Sequence, residues 1–168
     1  MKRFLIPVTI LLVLFAVAPV MAAPATKTPF TAHATFIAGN ISPGTMWART
    51  TELKIIQIRG ITSTGNITGD ISGSALFVTD ETFDMSTGLG RNHGELFVVT
   101  VGGTYEGSFQ SIYAGLLSFT GTFVARGTDT LEGQILMGSY EGELTWPEAI
   151  PGVAPVVHMA IEGVILST

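Results

Sequence analysis

A five-residue pattern with glycine at its centre recurs along the chain and constrains the fold more than any other feature. Each copy has a large apolar residue at both ends and a polar residue directly before the glycine, as in YEGSF at 105–109. The other copies are ITGDI at 67–71, FTGTF at 119–123, LEGQI at 131–135, YEGEL at 140–144 and IEGVI at 161–165. Successive residues of a β-strand point to opposite faces, so the glycine and both apolar ends share one face. The pattern predicts strands with glycines set between bulky side chains on a buried face.

Glycine on a buried strand face favours a small barrel. It lets the strand coil sharply, and it lets a facing aromatic ring lie against bare backbone. Small barrels need both properties, whereas helical periodicity is missing almost everywhere in this chain. The predicted strands cover 30–38, 54–62, 67–79, 95–109, 116–125, 131–137, 140–145 and 156–166, with turn signals at 63–66, 80–94, 126–129 and 147–155. We therefore predict an all-β fold consisting of a single antiparallel eight-stranded β-barrel.

The N-terminus has the layout of a secretory signal peptide. Lys2 and Arg3 precede an apolar run at 4–20, and Ala22 and Ala23 supply the small residues of a cleavage site. We expect cleavage after Ala22, which makes 1–22 the signal peptide. The alternative is an uncleaved membrane anchor, since the 20 residues at 4–23 are enough to span a bilayer.

Either alternative exports the remainder of the chain, so we expect a secreted or cell-surface location. Residues 23–52 then form an N-terminal segment with the first strand, and 53–168 form the remainder of the same barrel domain. Asn40 and Asn66 each begin an Asn-x-Ser/Thr triplet, which we interpret as a chance match.

Charge and cysteine content exclude several classes of partner and site. Removal of Lys2 and Arg3 with the signal peptide leaves six of the eight basic residues against 13 acidic ones, a formal charge of −7. This balance argues against nucleic acid or an anionic membrane surface as partner. The chain has no cysteine, which excludes disulfides, thiol chemistry and cysteine metal sites. We predict no cofactor.

The strand pattern predicts an interior that is apolar apart from tyrosine hydroxyls. Applied to the predicted strand 95–109, the alternation places Phe97 and Val99 inside, with Glu95 at a strand end. Such an interior has no converging acid and base, so we predict no catalytic residue. It either packs solid or holds one small apolar ligand. The residues predicted to line that ligand site are Phe97, Tyr105, Phe109, Phe119, Phe123 and Tyr140.

The segment 80–94 is predicted to be a long polar loop at the rim of the barrel. The tripeptide Arg91-Asn92-His93 is its candidate ligand-binding group, with Arg91 and His93 as the main residues, because rim loops often carry binding side chains; a hydrophilic loop tip is the alternative. Asp80, Glu81 and Asp84 match no calcium-binding loop spacing, so we interpret them as a solvated acidic turn.

The remaining titratable residues do not indicate a site. His33 and His158 are predicted to face outward on the first and last strands, and no third ligand is fixed by spacing, so we predict no metal site. Glutamates of the repeated pattern, such as Glu106 and Glu141, are also predicted to face water, which leaves nothing to tune them for catalysis.

Two stretches carry a family resemblance. The run SFTGTFVARGTDTLEGQILMGSYEGEL at 118–144, with GDISGSALF at 69–77, resembles the strands of the allene oxide cyclase and dirigent-type barrels and their prokaryotic relatives. The resemblance extends over about 54–144 and consists of a pattern of glycines and aromatic residues. It implies an eight-stranded barrel of the calycin kind. It carries over no activity, because no catalytic residue of the plant cyclases matches a position here, and the cysteine that some of them use is absent.

Three classes of function are therefore open. We favour an exported non-catalytic barrel, either a structural or interaction module or a carrier of a small apolar ligand. The second class is a cyclase, isomerase or dirigent-like protein that acts on a small apolar substrate, which rests on the resemblance alone. The third is an outer-membrane barrel, which would turn the apolar face outward.

Overall fold

The structure, a computed structural model, describes residues 24–40, 46–48, 54–115, 117–145 and 155–168. These residues form nine strands and one short 3-10 helix, Asp129–Leu131. The strands are β1 (Thr26–Asn40), β2 (Met46–Ala48), β3 (Ile55–Gly69), β4 (Gly73–Asp84), β5 (Leu89–Thr100), β6 (Gly103–Ala114), β7 (Ser118–Gly127), β8 (Gln134–Thr145) and β9 (Val156–Ser167). In this part of the chain no helix is long and apolar enough to cross a membrane. The predicted signal peptide, 1–22, lies outside the described residues.

Eight of the strands close into an antiparallel barrel. From β3 to β9 each strand pairs with the next one, and β1 pairs with both β9 and β3, which closes the ring. The short β2 pairs with the beginning of β3. Following paired residues once around the barrel from Phe83 leads back to β4 at Gly73, ten residues away. Such a stagger tilts the strands. The predicted all-β fold and eight-stranded antiparallel barrel are confirmed.

The apolar face of each strand turns toward the barrel interior. On β6, Tyr105 and Phe109 are buried, whereas Glu106 between them is exposed. The same alternation holds at FTGTF, YEGEL and IEGVI, where the apolar ends pack in the core and Glu141 and Glu162 are exposed. The predicted face assignment is confirmed for these copies.

Two copies of the pattern are not continuous strands. In ITGDI, β3 ends at Gly69 and the chain turns before β4, so the predicted strand 67–79 is broken there. In LEGQI, Leu131 ends the 3-10 helix, and Gly133 follows with a φ of 85°, a left-handed conformation that favours glycine. The strand begins at Gln134, so Leu136 is buried instead of Ile135. The strand prediction for this copy was wrong, because here the glycine serves a turn.

Several predicted strand boundaries were also wrong. The predicted turn at 63–66 lies inside β3, the predicted strand 95–109 is divided between β5 and β6, and the predicted strands 131–137 and 140–145 belong mostly to β8. In place of a loop at 80–94, β4 continues to Asp84 and β5 begins at Leu89. Glycine misled the prediction in both directions: Gly65 lies inside a strand but was interpreted as a turn signal, whereas Gly102 and Gly103 lie at a turn inside a predicted strand.

Interior aromatic rings lie opposite glycines within the strands. The direct cross-strand pairs are Phe36 with Gly65, Phe30 with Gly163, Phe83 with Gly90, Tyr140 with Gly121 and Phe119 with Gly142. In each pair a Cβ added to the glycine would collide with the facing ring. The glycines therefore make room for rings inside the barrel, as the repeated pattern predicted.

Candidate functional site inside the barrel

Five of the six aromatic residues predicted to line a ligand site do face the interior. Four of them are buried and Phe123 packs against the buried cluster; the four are Tyr105, Phe109, Phe119 and Tyr140. The sixth, Phe97, does not belong to this group. It is half-buried on the outer face of β5, between the buried Leu96 and Val98.

The error at Phe97 has a simple geometric cause. The hairpin between β5 and β6 pairs even-numbered with odd-numbered residues, as in Val98 with Tyr105, so the interior positions change from even to odd across the turn. A single strand over 95–109 would keep one alternation throughout. Val99 was misplaced for the same reason and is 51% exposed, and Glu95 is exposed as well.

Arg91 and His93 are not on a rim loop. Both lie on β5 with exposed side chains, on either side of the buried Asn92. The structure therefore places them on the outer surface and does not bring them together with the interior aromatic residues. Their role in ligand binding stays a prediction.

The centre of the barrel is filled by aromatic rings in contact with one another. Phe77 and Phe109 meet edge to face with ring centroids 5.3 Å apart, and Phe123 stacks on Tyr140 at 6.4 Å. The cavity that remains between them measures about 30 Å³, and its lining includes Phe30, Phe123 and Tyr140. This volume is about a tenth of that of the smallest pockets that bind small molecules.

A row of polar side chains crosses the interior beside this apolar centre. Glu81 on β4, Asn92 on β5 and Ser111 on β6 are successive cross-strand partners, and Ser111 is followed by Gly121, over which the ring of Tyr140 lies. Asn92 and Ser111 are only 9% and 5% exposed. The prediction that tyrosine hydroxyls are the only polar groups of the interior was therefore wrong.

Hydrogen bonds join these side chains and Tyr113 into one group, which we call the polar network: Glu81, Asn92, Ser111, Tyr113 and Tyr140. The Tyr113 hydroxyl is hydrogen-bonded to the Glu81 carboxylate and accepts a bond of 3.3 Å from Nδ2 of Asn92. The Ser111 hydroxyl donates to Oδ1 of Asn92 and is also in hydrogen-bond contact with Tyr140. The network therefore runs from Glu81 to the residue that lines the central cavity.

Burial changes the proton affinity of the network. It raises the pKa of Glu81 above 4.5, although the hydrogen bond from Tyr113 acts in the opposite direction. Burial also raises the pKa of Tyr113, and the negative charge of Glu81 raises it further. Burial raises the pKa of Tyr140 to about 12. The arrangement can hold a proton on Glu81 nearer to neutral pH and can offer hydrogen bonds to a small polar group.

Glu81 was not among the predicted site residues, because it was assigned to the predicted loop at 80–94. The signal that would have found it is the alternation along β4, where Ala75, Phe77 and Phe83 share its face. Asn92 was predicted as part of the rim tripeptide, but it faces the interior on β5, in alternation with the buried Leu96 and Val98.

Two histidines, His33 on β1 and His158 on β9, lie near each other in the strand pairing that closes the barrel, and both face outward. His158 pairs with Thr35 and His33 pairs with Ala160, and both histidines are exposed as predicted. No group of three or more potential ligand side chains suited to a metal ion occurs within the described ranges.

Comparisons of the chain with models of protein families, with curated proteins and with solved structures returned no match. The resemblance to the allene oxide cyclase and dirigent-type barrels therefore stays a prediction, and the fold and the polar network are what bear on function.

Proposed function

We propose that the protein is an exported, non-catalytic β-barrel that serves as a structural or interaction module. The observation that carries this proposal is the filled aromatic centre of the barrel. A larger cleft, of about 1410 Å³, is lined mostly by outward-facing side chains such as Arg91, His93 and Glu141. The central cavity measures about 30 Å³, whereas pockets for small molecules begin at about 300 Å³. A carrier of a small apolar ligand would have to expand this core, so partners are expected at the outer surface.

Binding of a small aromatic probe tests the filled interior. Benzene is expected not to bind the native protein, whereas Phe123→Ala, which removes a ring beside the cavity, is expected to bind it, because large apolar cavities accept such probes. Native mass spectrometry of the purified protein supplies the second measurement. A stoichiometric apolar compound retained by the wild-type chain would favour the carrier.

Export is proposed on the basis of the N-terminal sequence. Lys2 and Arg3 before an apolar run, with Ala22 and Ala23 after it, are typical of a cleaved signal peptide. N-terminal sequencing of protein recovered outside the cytoplasm is expected to begin at Ala23 or Pro24. An intact N-terminus in a membrane fraction would favour the anchor instead.

A second candidate function is that of an isomerase or cyclase. It is favoured by one observation, the interior carboxyl group of Glu81 with the Tyr113 hydroxyl bound to it, since such a pair can accept and return a proton. Deuterium exchange from solvent into the α-positions of small apolar ketones is the test, with Glu81→Gln as the inactive control. Exchange at the rate of free buffer for a broad set of ketones would argue against this candidate.

A further inference from the structure

The arginine side chains on the strands beside Glu81 are directed away from its carboxylate. Arg59 on β3 extends to the outer face, where its Nη1 lies 3.4 Å from Oδ2 of Asp80. Arg91 on β5 is exposed on the outer face as well. Inside the barrel Glu81 has Ile58 of β3 and Asn92 of β5 as cross-strand neighbours, and neither carries a charge. Among the described residues on the neighbouring strands, this carboxylate therefore has hydrogen-bond donors beside it when it ionises, and the arginines of those strands are directed to the outer face.

Aromatic rings surround the same position. Phe83 lies two residues beyond Glu81 on the same face of β4, and its ring meets Tyr113 edge to face at 5.7 Å. Tyr113 meets Phe119 at 5.6 Å, and Phe119 meets Tyr140 at 6.1 Å. The faces of aromatic rings carry partial negative charge and attract cations. A carboxylate beside several rings is an environment that favours an organic cation over an anion or a neutral molecule.

We propose that Glu81, together with the rings of Phe83 and Tyr113, binds a small organic ammonium ion. The cation donates to the Glu81 carboxylate in place of the Tyr113 hydroxyl, and its methyl or methylene groups contact the rings. Tyr113 keeps the bond from Asn92 Nδ2, and the carboxylate exchanges a neutral hydroxyl donor for a cationic one, which adds the attraction between opposite charges. Glu81 and Tyr113 are both only partly buried, which leaves them within reach of a solute.

Size limits the ligand class. The rings of Phe83 and Tyr113 both lean over Gly90, so little free space separates them. Methylammonium and its close relatives are therefore the expected ligands, and larger amines are expected to bind more weakly. This binding site goes beyond the proposed function and does not depend on it, because a filled centre and an occupied Glu81 are compatible.

Titration with methylammonium chloride at about pH 8, followed by NMR chemical shifts of the intact mature chain, tests the proposal. Saturable shifts at Glu81, Phe83 and Tyr113 are expected, and equal concentrations of sodium chloride are expected not to reproduce them. Glu81→Gln is expected to weaken binding by about tenfold or more, while Glu141→Gln, an exposed glutamate on β8, leaves it unchanged. Tyr113→Phe keeps the ring and removes the competing hydroxyl, so it is expected to bind at least as tightly.

The pH dependence gives a result that does not rely on a variant folding correctly. In the part of the chain that the structure describes, Tyr113 is the titratable group that faces Glu81 from the packed strands, whereas Asp80, Arg91 and His93 are directed to the outer face. Affinity of the wild-type protein is therefore expected to fall with acid in step with protonation of Glu81. Absence of saturable shifts, affinity that stays constant from about pH 8 to about pH 4, or equal affinity of folded Glu81→Gln would each overturn the proposal.

Discussion

The ring of Tyr140 lies across the bare backbone of Gly121, its direct cross-strand partner on β7. Because no side chain occupies that place, the Tyr140 hydroxyl reaches β6, where it donates a bond of 3.3 Å to the carbonyl oxygen of Gln110 and contacts Ser111. A side chain on β8 thus makes hydrogen bonds two strands away. The glycine at the centre of FTGTF is the reason that this contact is possible.

The first prediction concerns Gly121→Val. A side chain at Gly121 would collide with the Tyr140 ring and with the Gln110 carbonyl, so we expect the free energy of unfolding to fall by about 1 to 3 kcal/mol or more. Glu141→Gln on the exposed face of β8 is the control, with an expected change within about 0.5 kcal/mol. Urea unfolding midpoints provide the measurement. Equal losses in the two variants would mean that the inner and outer faces are assigned the wrong way round.

A second prediction concerns the coupling between Phe119 and Gly142. Phe119→Ala alone is expected to cost about 3 to 5 kcal/mol, because a buried ring is lost. Gly142→Ala alone is also expected to be destabilising, since the new Cβ would collide with the Phe119 ring. The double variant is expected to lose less stability than the sum of the two single losses, by about 0.5 to 3 kcal/mol, because the methyl group enters the space that the ring has left.

Gly138→Ala is the matched control for that double-mutant cycle. A Cβ at Gly138 would meet the backbone of Glu162 and Gly163 instead of a ring. Its cost is therefore expected to add to that of Phe119→Ala without coupling. If the Gly142 pair is equally additive, the ring of Phe119 does not rest on Gly142 in solution.

Alternation along the chain was sufficient to predict the barrel and most of its inner face. It succeeded at YEGSF, FTGTF, YEGEL and IEGVI, because a bulky residue at each end fixes which face is buried. It failed across the β5–β6 turn, because a hairpin that pairs even with odd positions changes the interior parity. Glycine was ambiguous too, because it occurs both inside strands and in turns. Gly65 lies in a strand against the Phe36 ring, whereas Gly133 lies in a turn.

The polar network was beyond what residue types alone indicate. Glu81 lies among Thr79, Asp80 and Thr82, a polar stretch that is typical of a loop. Its interior position follows only once β4 is known to continue to Phe83, whose ring is held against Gly90 on the next strand. Contacts of β4 with its neighbouring strands decide where the strand ends, and the alternation of Ala75, Phe77 and Phe83 then places Glu81 inside.

The third prediction concerns pH and Glu81. Burial raises the pKa of Glu81 in the folded protein above 4.5, so the folded state binds this proton more tightly than the unfolded chain does. The resulting stability is fully present below about pH 4.5 and is lost as the pH rises through the folded pKa. Glu81→Gln, which stays neutral, is therefore expected to be more stable than the wild type at about pH 8.

Urea unfolding midpoints measured from below about pH 4.5 to about pH 8 test this prediction. In the wild type the contribution of Glu81 is expected to decline with rising pH, and Glu81→Gln is expected to lack that decline. Glu141→Gln should retain the wild-type profile, because its side chain is exposed. A Glu81→Gln profile parallel to that of the wild type would show that the carboxyl group is hydrated in the folded state.

The fourth prediction concerns the three tyrosines of the chain. Burial raises the pKa of each one above 10.0: Tyr140 to about 12, Tyr113 with an added contribution from the Glu81 charge, and Tyr105, whose hydroxyl donates to Gln134. The folded protein is therefore expected to show no phenolate absorbance step near pH 10, and the stability linked to the tyrosines is lost as the pH rises through the folded pKa values. Ultraviolet titration with circular dichroism on the same samples is the measurement, and in urea all three tyrosines should titrate near pH 10.

A step of one third of the full amplitude near pH 10 in a folded sample would show that one phenol is solvated. Tyr105 would be the first to test, with Tyr105→Phe, because it lies near the end of the barrel where β6 begins.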